Sequence, residues 1–510
     1  MNKLRLILGD QLNTKHSWYK QKDENTIYLM AEMRQETDYV KHHIQKIVAF
    51  FLSMRNFATA LEKAGHQVVY FNISNQENLH DLEKIITKVI ADKSIEKLEY
   101  QLPDEFRLDQ QLKNICKNLQ IESEAFDTEH FYTSRTELTE FFEGKKLLLM
   151  ENFYRMMRKK HHVLVNNEKP LGGKWNYDHS NRNKYKGEVP IPEPLVFSKE
   201  VSKIISEIEK ADVRTFGEID TNNFPWPTSR KESLSLLNYF CEKGLKYFGD
   251  YQDALYSKDS FLFHSRLSFA MNSKMISPKE VVDAVIDYFI KNQDIIDISQ
   301  VEGFVRQILG WREYVRGIYW KEMPEYSKMN TLENHNKLPE FYWTGKTKMK
   351  CMQHAISQSL TEAYAHHIQR LMIIGNFSLL TQMHPDEVDA WYLGVYIDAI
   401  EWVEMPNTRG MSQYADGGII ATKPYVSSGS YINKMSNYCG DCQYNVKEKL
   451  GAKACPFNSL YWNFLDDKKD HFQNNQRMNM MLALLNKMKP EELANIKEKA
   501  MHIMENLDDY

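Results

Sequence analysis

Four cysteines set the tightest constraint on how this chain can fold. Cys439 and Cys442 form a C-x-x-C pair in a Gly/Asp turn, Cys455 follows in a Cys-Pro step, and Cys351 lies far upstream. Soft thiolates select zinc or iron–sulfur clusters, and a Cys-Pro step also closes ferredoxin-type ligand runs. If all four serve one centre, the segment from Cys351 to Cys455 must fold back around it. A structural C-x-x-C turn with Cys351 merely buried has the same spacing, and spacing does not exclude zinc. Cys116 and Cys241 have no such company and read as core residues.

A chain of 510 residues is long enough for two or three domains with cores of their own. The formal net charge of −4 and pI of about 6.5 indicate no global affinity for nucleic acid, so any basic footprint must be local. No apolar run approaches the roughly 18 residues of a membrane helix. Six unevenly spread cysteines suit a reducing compartment. The expectation is a soluble, cytoplasmic monomer with no membrane partner.

Residues 1–128 alternate strand and helix signals. Leu4 to Leu8, Thr26 to Met30, Gln67 to Asn72 and Lys97 to Leu102 read as strands, with helices from about Tyr39 to Ala64 and around Leu79 to Ala91. This predicts an α/β domain, a parallel sheet flanked by helices. It lacks a GxGxxG fingerprint. Ligands of such sheets sit beyond the strands' carboxyl ends, which singles out Asp10 and Glu32, although both would also suit turn caps. Residues 129–225 read as a long linker over the surface, with a basic run from Arg158 to His162 and a Pro-rich run from Pro190 to Pro194. Such a charge run is usually a solvated face, and nucleic-acid contact is the alternative.

From 226 to 510 helical periodicity dominates and predicts an all-α domain ending in a helix from Pro490 to about Asn506. Its apolar stripes are Phe304, Ile308, Trp311, Val315 and Ile318; Leu360, Tyr364, His367, Leu371 and Ile374; and Val388, Trp391, Val395, Ala399 and Trp402. A histidine on such a stripe is commonly a hydrogen-bonded core residue; its functional reading is a general acid in a cavity. Arg370, three residues after His367, and Asp398, at the heart of the third of these helices, would form a buried ion pair if the helices pack together, and buried charges need a partner or a role. His264 to Ser268 offers hydroxyls and backbone N–H groups suited to phosphate oxygens, or simply to capping. Trp343, Trp391 and Tyr392 read as core aromatics or as an electron relay.

Together these pieces resemble the photolyase/cryptochrome superfamily, in particular its bacterial iron–sulfur branch of (6-4) photolyases and related cryptochromes. The carriers are Leu8-Gly9-Asp10-Gln11-Leu12; Gly172-Gly173-Lys174-Trp175-Asn176; Gly303-Phe304-Val305-Arg306-Gln307 with Gly310-Trp311-Arg312-Glu313-Tyr314; Phe341-Tyr342-Trp343-Thr344-Gly345-Lys346; Tyr364-Ala365-His366-His367-Ile368-Gln369-Arg370-Leu371; Gly410-Met411-Ser412-Gln413; and the four cysteines. The resemblance implies an antenna-binding α/β domain, a linker, and a helical FAD domain bearing a 4Fe-4S cluster on Cys351, Cys439, Cys442 and Cys455. It assigns the FAD phosphates to the segment with His264, Ser265, Leu267 and Ser268, and the flavin ring to Arg370 and Asp398. Glu404 and Asn407 would lie near the ring's reactive edge. Gln307 and Tyr425 would face the lesion, with Met411 and the histidine pair His366 and His367 in the same region. Trp391, Tyr392 and Trp343 match an electron path, and Asp10, Glu32, Glu36, Tyr39 and His43 match a site for 6,7-dimethyl-8-ribityllumazine.

The implied reaction is light-driven repair of a flipped-out (6-4) pyrimidine dimer in single- or double-stranded UV-damaged DNA, with His367 supplying a proton. The basic linker segment and Lys346, Lys348 and Lys350 would hold phosphates. One departure stands out. Animal (6-4) photolyases carry a second histidine four residues after the catalytic one, where this chain has Leu371. A blue-light photoreceptor with the same cofactors and no repair is the competing function. A nucleic-acid-binding protein with a structural Cys₄ centre and no flavin is a third.

Overall fold

A computed structural model describes residues 1–145 and 147–510. The N-terminal region is built on five strands, β1 (Lys3–Leu6), β2 (Thr26–Ala31), β3 (Gln67–Phe71), β4 (Lys97–Gln101) and β5 (Glu122–Phe126). All pair in parallel, in the order β3-β2-β1-β4-β5. The chain builds outward from β1 on one side and then crosses to the other, so strand order reverses between β1 and β4 and leaves a crevice at their carboxyl ends.

The helices of this region are α1 (Ile44–Lys63), α2 (Leu82–Lys93) and α3 (Phe106–Asn118). One sheet face buries Leu4, Leu6, Leu29 and Leu98 against Ile85, Ile86 and Leu112. The other packs on α1, whose Ile47, Phe51 and Met54 belong to a core continuous with the helical half. α3 and β5 were absent from the sequence reading, because β5 (ESEAF) lacks an apolar run and is an edge strand. α1 is shorter than its periodicity suggests. Arg34–Asp38 is a separate turn of helix, and His42–His43 is a short strand paired with Thr215–Phe216.

The region after residue 128 is less superficial than a linker. Helix α4 (Met150–Lys160) buries Phe153, Tyr154 and Met157. Arg158 is buried too, its guanidinium donating to the carbonyls of Val163, Leu164 and Trp175. It is therefore a structural residue and no part of a basic face.

Further helices that place functional residues are α5 (Ser268–Asn272), α6 (Ile298–Val305), α7 (Lys350–Glu362), α8 (367–380), α9 (Pro385–Val395) and α10 (Glu401–Met405). The stripe from Phe304 to Ile318 follows one continuous rod, α6 continuing through a π-helical stretch Arg306–Arg312. The other two stripes do not. α7 stops at Glu362, Ala363 turns left-handed at φ +50°, and α8 begins at His367. Likewise α9 ends at Val395 and Asp398 sits in the turn before α10. Among the described residues no helix is long and apolar enough to cross a membrane.

Candidate functional site

The break between α7 and α8 creates the site. His366 lies in the extended link and His367 opens α8, so the two imidazoles leave the backbone in different directions. The His366 ring is buried and stacks on His264 from the segment before α5, with centroids 4.6 Å apart and planes 12° from parallel. His367 is exposed rather than buried in a stripe. Desolvation by nearby protein, then the Arg370 charge, pushes His367 down to about 4. Burial and then His367 push His264 to about 4, and burial with both histidines and Arg370 holds His366 well below the usual range. All three rings are neutral at pH 7 in the free protein. His264 Nε2 and His366 Nδ1 are buried without a protein partner.

Arg370 and Asp398 do pair, with guanidinium–carboxylate contacts of 3.0 and 3.3 Å. Arg370 also donates to the Ala365 carbonyl at 2.6 Å and lies 3.7 Å over the Tyr396 ring. From the other side, Asn272 Nδ2 donates to the Asp398 carbonyl at 2.6 Å, while its Oδ1 accepts from Arg312 at 2.6 Å. The bracket is thus fixed from two elements. Glu404 on α10 is buried with both carboxylate oxygens unpartnered, and burial followed by the Asp389 charge raises its pKa well above the carboxylate range. Asn407 is tied to its own turn through the Val403 carbonyl, and Gln307 to Gly303.

Gln307, Arg370 and the pair Asn407 and Met411 each ride on a π-helical segment: Arg306–Arg312, Gln369–Gly375 and Pro406–Ser412. The last two pack so closely that a Cβ on Gly375 would meet Ser412 Oγ at 2.0 Å. Met411 is buried beside them. Tyr425 is half-buried in the field of Asp178, Arg182, Arg477 and Asp253. Trp391 is buried, packs on Tyr342 at 5.2 Å and Tyr392 at 5.4 Å, and donates to the Tyr342 carbonyl. Trp343, the next residue after Tyr342, is 42% exposed.

The four cysteines surround one small void that Tyr438, Tyr444 and Phe457 also line. All four are free thiols. Burial, then the other three thiols, pushes Cys351 up strongly; burial pushes Cys439 to about 11 and Cys455 to about 12. Among the described residues, no three His, Cys, Asp or Glu side chains converge tightly enough to hold a single metal ion.

A cavity lies in the crevice at the ends of β1, β2 and β4. Asp10, Glu32, Glu36 and Tyr39 line it, as do Ala399 and Ile400 directly after Asp398. His43 does not: its Nε2 lies 2.7 Å from the Leu360 carbonyl and its ring packs on Phe216, while the neighbouring His42 faces the cavity. The difference follows from the two-residue strand, which sends successive side chains to opposite faces. Glu32 is consumed by Arg55, Tyr70 and the Ile73 N–H, and Glu36 by Arg107. The sequence reading missed Lys46 and Glu105. Lys46 donates to the Leu393 carbonyl and is pushed by burial to about 8; burial and then Glu401 raise Glu105 to about 8. Lys46 carried a signal, a lysine within the apolar face that Ile47, Phe50 and Met54 define.

The comparisons with known proteins agree with this architecture. A family model described as deoxyribodipyrimidine photo-lyase-related protein matches residues 5–224. A (6-4) photolyase of Agrobacterium fabrum strain C58 is 40% identical over 512 residues, covering 100% of both chains. A crystal structure of a class III photolyase from Agrobacterium tumefaciens superposes with a TM-score of 0.56 at 14% identity, over 96% of this chain and 98% of that one. A Synechocystis cryptochrome superposes with a TM-score of 0.56 at 13% identity, over 85% and 88%. These two establish the shared fold. The full-length identity goes further, and on it the chain belongs to the deoxyribodipyrimidine photolyase-related family of the photolyase/cryptochrome superfamily.

Proposed function

We propose that this protein is a light-driven DNA-repair lyase that restores (6-4) pyrimidine photoproducts, using FAD, a 4Fe-4S cluster and a lumazine-type antenna. The observation that carries the reading is the arrangement at the α7–α8 break, where an exposed His367 follows the stacked His264–His366 pair and precedes the Arg370–Asp398 bracket. Unpartnered buried polar atoms on Glu404, His264 and His366 fit a ligand with its own donors and acceptors, as a flavin has. When bound and excited in its reduced form, the flavin would supply the electron for repair.

The chain's own residues do the rest. Arg370 and Asp398 orient the ring, and Glu404, whose burial favours the protonated carboxyl, offers a hydrogen-bond donor. His367 holds the proton delivered to the lesion; DNA phosphates arriving beside its exposed ring favour its charged form. Gln307, Met411 and Tyr425 complete the lesion side. The exposed Lys174 and Lys346 are available to phosphates, whereas Lys160 is paired with Glu137 and Lys348 with the Asp509 carbonyl. Four thiols around a void, rather than on a point, suit an iron–sulfur cluster better than one zinc ion. The cavity bounded by Asp10, Glu36 and Tyr39 suits a flat antenna, and the turn from Asp398 to Ile400 makes it a neighbour of the flavin bracket.

The test is blue-light repair of a defined (6-4) lesion in single- and double-stranded oligonucleotides by reduced, flavin-loaded protein. Repair by the wild type, and a loss of about 100-fold or more in His367→Ala with lesion binding kept, is expected. Leu371 in place of a second histidine gives the photoreceptor alternative its footing. Absence of repair despite full flavin loading and photoreduction would move the protein there.

A further inference from the structure

Gln369 occupies a junction that none of the roles above requires. It is buried at the start of the π-helical stretch of α8. Its Oε1 accepts the His366 backbone N–H at 3.0 Å, the arrangement by which a side chain early in a helix satisfies an amide just before the first turn. Its Nε2 donates to Gln358 Oε1 at 2.7 Å and reaches Tyr438 Oη at 3.4 Å. Gln358, on α7, directs its own Nε2 to the carbonyls of Ser260 at 3.1 Å and Tyr364 at 3.2 Å, and to Gln369 Oε1 at 3.2 Å.

Two interlocked amides therefore grip both ends of the irregular link that carries His366 to the head of α8. Nothing else about this link is regular, since Ala363 is left-handed and residues 364–366 lie outside any helix. Tyr438, the third partner, immediately precedes Cys439 and lines the cysteine void. The link thus has one support at the phosphate-side segment, through Ser260, and one at the cysteine-bearing segment.

We infer that Gln369, clamped by Gln358, is a positioning residue: it fixes the His366–His367 step so that His366 stacks on His264 while His367 stays exposed, and ties that geometry to the Tyr438–Cys439 segment. A cap that only stabilised α8 would alter folding and nothing else. A positioning residue alters turnover and the protonation of His367, which faces His264, His366 and Arg370, with Asp398 behind Arg370. The turnover part rests on His367 being the proton donor proposed above; the protonation part does not.

The experiment uses flavin-loaded, full-length Gln369→Leu and Gln369→Glu, measuring lesion affinity, repair rate against pH, and the His367 ring titration by NMR. Gln369→Leu should bind lesion DNA within about twofold of wild type yet repair it roughly tenfold more slowly. Gln369→Glu keeps an acceptor for the His366 N–H, so it should recover part of the rate, and its added charge should move the His367 titration to higher pH. Wild-type rate and wild-type His367 titration in folded Gln369→Leu would overturn the inference. So would an unmoved titration in Gln369→Glu, which decides the matter if the leucine variant does not fold. If wild-type protein repairs no lesion, the photolyase reading fails, while the titration arm still decides the positioning role.

Discussion

Arg370 and Asp398 show what a single pair does at the centre of this molecule. Among the described residues each is the other's only charged hydrogen-bond partner, and the Arg370 guanidinium otherwise meets the Ala365 carbonyl and the faces of Tyr396 and Tyr364. Removing one member of such a pair leaves a largely desolvated charge behind, at a typical cost of about 3 kcal/mol. Asp398→Ala should therefore lower unfolding stability in urea by roughly that amount even without ligand, and Asp398→Asn by clearly less, because an amide still accepts from Arg370. Equal losses in the two variants would mean that the charge is not what matters. The types of these residues were readable from sequence because Arg and Asp beside apolar stripes demand explanation. Their geometry was not, since the helix that the third stripe predicts ends three residues before Asp398.

Elements, rather than residues, decide where the chemistry sits, and three π-helical stretches carry Gln307, Arg370, and Asn407 with Met411. A π-turn inserts a residue without breaking the rod, so the apolar periodicity runs through it and gives no warning. The breaks at Ala363 and after Val395 were equally silent, having neither glycine nor proline at the turning residue to mark them. Local strand patterns fared better, because alternation of strands and helices specifies a parallel sheet however its edges are trimmed. Where two π-stretches meet, Gly375 lies against Ser412, and a methyl group there would sit 2.0 Å from Ser412 Oγ. Gly375→Ala should cost about 1–3 kcal/mol of stability and reduce flavin retention, because the segments bearing Arg370 and Asn407 must separate. Adding Ser412→Gly should restore part of both, the remainder of the loss coming from the Arg370 carbonyl oxygen, which the same methyl group would meet at 2.8 Å. If the double variant is no better than the single one, the contact does not set the spacing.

At the scale of the whole molecule, two sets of buried groups pull stability in opposite directions with pH. Histidines are held neutral: burial pushes His43 to about 4, and His42, His130 and His366 lie well below the usual range. Their unfolded forms titrate near 6.5, so the unfolded chain takes up protons first, and their contribution, complete above that pH, is lost as pH falls toward the folded values. For His43 alone this is about 3 kcal/mol by pH 4. Carboxyls work the other way. Burial raises Glu105 to about 8 and Asp389 to about 7, so their contribution is complete below about 4.5 and is lost as pH climbs through those values. Stability should then peak between about pH 4.5 and 6.5, on the acid side of neutrality, and decline toward pH 8.5. Urea midpoints measured from pH 4 to 9 check this, with Glu105→Gln expected to flatten the alkaline limb and His43→Gln the acid limb. An optimum at pH 8 or above would show that the Glu105 and Asp389 carboxyls ionise in the folded protein, and that Lys46 and Arg409 compensate them more fully than their burial suggests.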